Sequence, residues 1–213
     1  ETIGTIAYLS KNGNHLKDNL ISGYILTCCG DNAPFIYKSS KNENSLTDRL
    51  ARHVLKNQNI NYQIMPFSVG GSDERQYCSP GFNMAVGSLT RSIYQSYKEY
   101  HTSLDNKDFV SFSSMVETIE LYFSFVKAFE LNGYYTNTIP FCEPQLGKRG
   151  LYPSSISPEL NRSKIHKRMH LLSFADGQKD LIEIAELNNS SIFDFEKDIK
   201  ELTDADLLKK VSE

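Results

Sequence analysis

Apolar and polar positions alternate along this chain in short blocks, and the blocks change period several times. Ile3 to Leu9 reads as the first turns of a helix that ends in a polar, glycine-containing turn at Lys11 to Asn14. Ile21 to Cys29 (ISGYILTCC) is apolar, β-branched and aromatic, and stops at Gly30-Asp31, the pattern of a buried strand. Phe35 to Lys38 predicts a short strand. Ser45 to Lys56 predicts an amphipathic helix capped by Ser45, with Leu46, Leu50, Val54 and Leu55 on one face. Tyr62 to Phe67 and Phe82 to Leu89 read as further strands. Ser113 to Leu131 reads as a long helix in which Val116, Ile119, Phe123, Val126 and Phe129 form a core-packing stripe. Strands alternating with helices predict an α/β layer architecture with a mostly parallel or mixed sheet.

The pattern changes at Gly133. From there to Pro158 the chain carries Tyr134, Tyr135 and four prolines, and reads as an ordered linker (residues 133–160) between a first domain over 1–132 and a last one over 161–213. The last stretch is helical in pattern: Asn161 onward, Asp180 to Leu187 after an Asp176-Gly177 turn, and Ser191 to Leu202, with Ala205 to Val211 closing the chain. His166 and His170 stand at i and i+4 but lack the intervening Glu of a metalloprotease helix.

Composition narrows the function classes. The 213 residues carry a net charge of −3, with 39% hydrophobic and 23% charged positions, ordinary for a chain that buries a core. That balance gives no electrostatic reason to expect nucleic acid or an anionic membrane as partner. No apolar run approaches the roughly 18 residues of a membrane span. Four cysteines, Cys28 and Cys29 adjacent, make neither a disulfide framework nor paired zinc-ribbon spacing, and fit reduced thiols in the cytoplasm. In the final domain, Asp194, Glu196, Asp198 and Glu201 outnumber Lys197 and Lys200, so a recognition helix for DNA is disfavoured. Protein docking or a structural role suits it better.

Candidate chemistry concentrates between Gly70 and Asp108. SDERQYCSPG places Asp73, Glu74 and Arg75 before a turn, and EYHTSLD places Tyr100, His101 and Asp105 together. A carboxylate-rich loop followed by a His–Asp pair suits a zinc hydrolase, since zinc takes nitrogen and oxygen ligands and an outer carboxylate orients the imidazole. A polar loop with a salt-bridged histidine is the plainer reading of the same residues. Arg75 suits either a substrate carboxylate or an ion pair with Glu74. His15 and His53 read as surface histidines, Asp31 as a turn residue, and Lys148-Arg149 as an exposed basic turn.

SDERQYCSPGFNMAVGSL, EYHTSLDN and EPQLGKRGLYP resemble the aminopeptidase-like proteins encoded among bacterial polysaccharide-biosynthesis genes. These in turn resemble the zinc aminopeptidase clan that includes glutamate carboxypeptidases and glutaminyl cyclases. The resemblance covers nearly the whole chain. It implies part of a mixed sheet with flanking helices of the zinc-aminopeptidase type, followed by a small winged-helix-like domain. It also implies a role for individual residues. Glu1 matches the general base, with Thr2 where the clan has a second carboxylate. His101 matches a zinc ligand, with Asp105 behind it. Asp73 matches a catalytic-site carboxylate beside the metal, and Glu74, Arg75 and Tyr100 are candidates to meet substrate. The clan's first histidine and bridging aspartate lie upstream of the Glu1 motif, so the chain is expected to be the C-terminal portion of a longer protein. Three functions follow as expectations: a zinc-dependent aminopeptidase or amidohydrolase cleaving a small peptide or amide-bearing substrate, a non-peptidolytic metal-binding protein of surface-polysaccharide metabolism, and an inactive scaffold. Homo-oligomers, or a protein partner on the C-terminal domain, accompany them.

Overall fold

The structure is a computed structural model describing residues 2–152 and 158–211. The chain divides into two compact units, Glu1–Phe125 and Val126–Glu213.

In the first unit the elements run α1 (Ile3–Asn19), β1 (Gly23–Leu26), β2 (Phe35–Lys38), α2 (Leu46–Asn57), β3 (Tyr62–Met65), α3 (Glu74–Tyr77), β4 (Val86–Thr90) and α4, which begins at Phe112 and ends at Leu131. The sheet order is β1-β4-β2-β3. β1 runs parallel to β4 and β2 parallel to β3, while β2 and β4 are antiparallel, so the sheet is mixed as expected. Central β4 is buried along its whole length. Tyr37, Leu50, Val54, Leu55, Leu89 and Phe125 are inaccessible to solvent and make the core.

Strand β2 is tied to α2 through one carboxylate. Ser45 caps α2 in a reciprocal box with Asp48. Asp48 Oδ1 also accepts from Ser40 N at 2.7 Å and Tyr37 Oη at 2.8 Å, and Oδ2 from the Ser40 and Ser45 hydroxyls at 2.6 Å each. Burial alone would raise the Asp48 pKa, but these donors outweigh it and hold the carboxyl below its ordinary value.

Several sequence expectations are corrected here. α1 does not stop at Lys11–Asn14 but continues to Asn19. Gly13 is there for packing: a Cβ at that position would meet Phe82 Cε1 at 2.4 Å. His53 is buried, not on the surface, because it lies on the inner side of α2. The stripe read as core on α4 is on the wrong side of the helix. Val116, Ile119 and Phe123 are about half or more exposed, whereas Ser114, Thr118, Leu121 and Phe125 are buried. Apolar residues occupy both sides of this helix, so periodicity alone did not identify the inner one.

The second unit holds β5 (Tyr134–Asn137), α5 (Pro158–Phe174), β6 (Asp176–Asp180), α6 (Leu181–Leu187), α7 (Glu196–Asp204) and β7 (Leu208–Lys210), with short 3-10 turns at Gly147–Arg149 and Ile192–Phe195. β5 is central in an antiparallel sheet of order β6-β5-β7. It falls inside the stretch read as linker, where short β-aromatic sequence was masked by the prolines that follow. Residues 153–157 of that stretch lie outside the described residues. Asp180 opens α6 with a capping box to Glu183. Arg168 locks α5 to α7: its guanidinium donates to Asp198 Oδ1 at 3.0 and 2.7 Å, to the Leu151 carbonyl at 2.5 Å, and to Glu201. His170, offered by the sequence as half of a histidine pair, contacts the Ile184 carbonyl at 2.9 Å and packs on Phe174, while His166 is exposed. The pair is structural on one side and solvated on the other.

Candidate functional site

The loop after β1, the segment between β4 and α4, and the first turn of α4 line an open cleft of about 380 Å³ in the first unit. Its chemistry-bearing lining is Cys28, Cys29, Asp31, His101 and Asp105, with Tyr97 and Tyr100 beside them. His101, Asp105 and Tyr100 thus line the same cleft. The His101 ring stacks on Tyr100 with centroids 4.0 Å apart and planes 12° from parallel. Tyr97 stacks on Phe109 at 5.3 Å and meets Tyr100 edge-on at 5.5 Å, which gives the loop an aromatic base.

Cys28 (φ 48°) and His101 (φ 56°) both have left-handed backbones. For residues with a Cβ this costs about 1–2 kcal/mol each, which the surrounding structure must offset. Asp31 joins the cleft at its rim. Its Oδ1 accepts from Ala33 N at 2.7 Å and its Oδ2 from Ser92 N at 3.3 Å, so it fastens the loop after β1 to the loop after β4. The turn reading of Asp31, preferred over a weaker candidacy as a ligand just past the end of the strand, describes its hydrogen bonds, and Asp31 lines the same cleft as His101.

The Cys29 thiol and the Tyr97 phenol are held protonated. Burial, then the neighbouring Cys28, pushes the Cys29 thiol up to about 11. Burial, then the hydrogen bond from its hydroxyl to Cys28 Sγ (3.5 Å), raises Tyr97 well above the ordinary phenol value.

Asp73, Glu74 and Arg75 stand outside this lining. Glu74 is fully buried, and its Oε1 pairs with Lys38 Nζ at 2.8 Å. Lys38 also donates to the Gly70 carbonyl and lies over the rings of Phe67 and Tyr94 at 5.6 and 5.9 Å. The expected choices for Arg75 were Glu74 or a substrate. Instead Arg75 Nη1 donates to the Val69 carbonyl at 3.3 Å, and Glu74 is taken by Lys38, a partner 36 residues away in the chain. Substrate contact by Glu74 is corrected on this ground: a carboxylate without solvent exposure meets no incoming ligand. Asp73 starts α3, and its Oδ1 is buried without a hydrogen-bond donor among the described residues. Such an acceptor costs about 1–3 kcal/mol unless something pairs with it. Glu1 lies outside the described residues.

Zinc needs a set of donors converging at about 2.0–2.3 Å. Among the described residues no three His, Cys, Asp or Glu side chains are grouped to hold a metal ion. His101 is a nitrogen donor on the cleft wall, but the described residues do not by themselves fit zinc.

The mixed sheet with flanking helices, followed by a three-stranded unit with short helices, defines an aminopeptidase-like α/β protein ending in a winged helix. The chain belongs to the family described as Domain of unknown function (DUF4910), which matches residues 1–132, and a winged helix-turn-helix family matches 133–210. A Clostridium acetobutylicum protein provisionally named as a polysaccharide biosynthesis protein with aminopeptidase-like domain is 37% identical over 185 residues, 87% of this chain and 42% of the relative. A crystal structure from Clostridium acetobutylicum, provisionally described as a peptidase, superposes with a TM-score of 0.88 at 34% identity, over 99% of this chain and 46% of the other. The chain thus spans less than half the length of the relatives it matches. No helix among the described residues is long and apolar enough to cross a membrane.

Proposed function

We propose that this chain contributes to an amide-bond hydrolase of the aminopeptidase type, acting in the cytoplasm on a small peptide or an amide-bearing sugar. The observation that carries this reading is the placement of His101, Asp105 and Asp31 around one cleft in an aminopeptidase-like fold. Zinc belongs to the proposal as the group that, when bound, activates water and polarises the scissile carbonyl. His101 is the residue of this chain assigned to hold it, with the remaining donors coming from outside the described residues. Asp105 keeps the imidazole oriented, and Tyr100 supports its face by stacking. Asp73 keeps the catalytic-site assignment that the resemblance gives it, from a position outside the lining of this cleft. Glu1 keeps the assignment of general base that the resemblance gives it.

A second reading has its own observation. Because no three donors group among the described residues, an aminopeptidase-like module that binds or scaffolds in polysaccharide biosynthesis, through its winged helix, accounts for the same fold. Elemental analysis separates the two. It is done on this chain and on a longer protein that adds the region by which the relatives exceed it. The hydrolase reading expects about one zinc in the longer protein, lost in His101→Ala. Zinc unchanged by His101→Ala overturns the assignment of that ligand, and no zinc in either protein favours the scaffold. A panel of aminoacyl against N-acyl sugar substrates then fixes the amide class.

A further inference from the structure

The cleft holds two nucleophiles that the proposed hydrolysis does not use. Cys28 and Cys29 are consecutive, both are free thiols, and both are half-buried in the cleft lining. Consecutive side chains on an extended strand point to opposite faces. β1 ends at Leu26, and Cys28 follows with a left-handed backbone (φ 48°), which breaks that alternation. Both residues thereby line one cleft.

The two sulfurs are engaged differently. Cys28 Sγ accepts from Tyr97 Oη at 3.5 Å, whereas the Cys29 thiol donates to the Thr27 carbonyl at 3.2 Å. Cys28 thus offers sulfur lone pairs beside a hydroxyl donor, while the Cys29 proton is already in use. The other two cysteines serve as natural controls. Cys78 is buried, with its thiol on the Met84 and Val86 carbonyls at 3.4 and 3.2 Å, and Cys142 is exposed in the second unit.

A bond between neighbouring cysteines carries strain. Consecutive Cα atoms stand about 3.8 Å apart across a trans peptide, whereas disulfides usually span about 4.4–6.8 Å. Strained and exposed disulfides are the labile, regulatory ones, and in a reducing compartment such bonds are transient.

We infer that Cys28 and Cys29 are a site of reversible oxidation, closing to a vicinal disulfide when they meet a low-molecular-weight disulfide. The Cys28 thiolate attacks one sulfur of the oxidant, whose S–S bond breaks, and the first small thiol leaves with the proton that Cys28 gave up. Cys29 then attacks the Cys28 sulfur of the mixed disulfide and expels the second small thiol, which takes the Cys29 proton. Two protein thiols lose two electrons, and one small disulfide is reduced to two thiols. Closing the ring draws Cys28 Sγ from Tyr97 and Cys29 Sγ from Thr27, so the lining that also holds His101 changes with redox state. The inference rests on the two thiols and holds whether or not the cleft binds zinc.

The probe is glutathione, applied to this chain at graded ratios of disulfide to thiol. A chelator is present throughout, so that metal–thiolate bonds are not read as oxidation. Trypsin leaves both cysteines on one peptide, residues 18–38, between Lys17 and the cut after Lys38. Mass spectrometry is expected to show that peptide two hydrogens lighter, with complete loss of both free thiols and no glutathione attached. Excess reduced glutathione is expected to restore the dithiol. Over the same range Cys142 is expected to carry glutathione and Cys78 to stay free. Cys29→Ser removes the resolving thiol, so its Cys28 is expected to keep a glutathione adduct that the wild-type chain does not accumulate. Cys28→Ser is expected to leave Cys29 unmodified. A glutathione adduct that persists on Cys28 in the wild-type chain overturns the proposal, because Cys29 then fails to resolve it. So does a peptide 18–38 that keeps both thiols at ratios where Cys142 is modified, or one found bonded to a second chain.

Discussion

Replacing Asp48 by alanine tests whether the first unit is held by one buried carboxylate or by its apolar core alone. The carboxylate collects donors from Ser40 N, Ser40 Oγ, Ser45 N, Ser45 Oγ and Tyr37 Oη, at 2.6 to 3.1 Å. After substitution the Ser40 amide and the Tyr37 hydroxyl stay buried, with both residues inaccessible to solvent and no acceptor remaining. Each such orphan costs about 1–3 kcal/mol, so the expected loss is about 3–5 kcal/mol. Ser45→Ala removes the cap and one of the hydroxyl donors to Asp48 but leaves the carboxylate in place, and should cost about 1–2 kcal/mol. Urea unfolding followed by tyrosine fluorescence measures both, with exposed Asp108→Ala as the control. The pH dependence follows from the sign of the shift. The folded-state pKa of Asp48 lies below its unfolded value, so its stabilisation is complete above the unfolded value of about 3.9 and is lost as pH falls through the folded value. Wild-type stability should therefore fall on acidification below about pH 5, and the Asp48→Ala profile should be flatter there. A loss under about 1 kcal/mol, or an unchanged acid profile, would refute the reasoning.

Arg168→Met should destabilise the second unit by about 3–5 kcal/mol, because Asp198 is left buried without its cation, and thermal unfolding with hydrogen exchange of α5 and α7 reads the effect. Thiol labelling at pH 8 should modify exposed Cys142 first, with Cys29 slow because burial keeps it protonated up to about 11 and Cys78 slow because it is buried. Mass spectrometry of the labelled peptides checks the order, and Cys29 labelling ahead of Cys142 would contradict it. His101→Ala should lower the zinc content of the longer protein, as set out above.

What was legible in the sequence was local chemistry. Ser45 followed three residues later by Asp48 marks a helix start, and α2 begins at Leu46. FIYK gives β2 at its own boundaries, and the FNMAVGSL run from Phe82 to Leu89 gives β4 to within a few residues. What was not legible depended on partners far away in the chain. Gly13 looked like a turn residue because the ring of Phe82 that packs against it is 69 positions on. β5 was passed over because a four-residue strand becomes visible only through β6 and β7, which pair with it from much later sequence.

The candidate site divides along the same line. His101, Tyr100 and Asp105 are near neighbours in sequence, and the cleft keeps them near. SDE looked equally functional, yet its glutamate is the anchor of a loop. Lys38 closes the end of β2 by bonding Glu74 and the Gly70 carbonyl, and a Cβ at Gly71 (φ 138°) would stand 2.4 Å from Glu74 Oε1 and 2.7 Å from both Lys38 Nζ and Tyr94 Oη. A glycine at 71 is thus required by both its backbone and the ion pair beneath it. Removing one member of a buried pair leaves an uncompensated charge, so Lys38 and Glu74 fix the loop as a unit. Asp73 Oδ1 is buried without a donor among the described residues, but so are Glu74 Oε2 and Arg75 Nε without partners, so an unpaired atom does not set one member of the motif apart. What distinguishes Glu74 is its ion pair with Lys38, and the motif's visible work is to hold the loop in place.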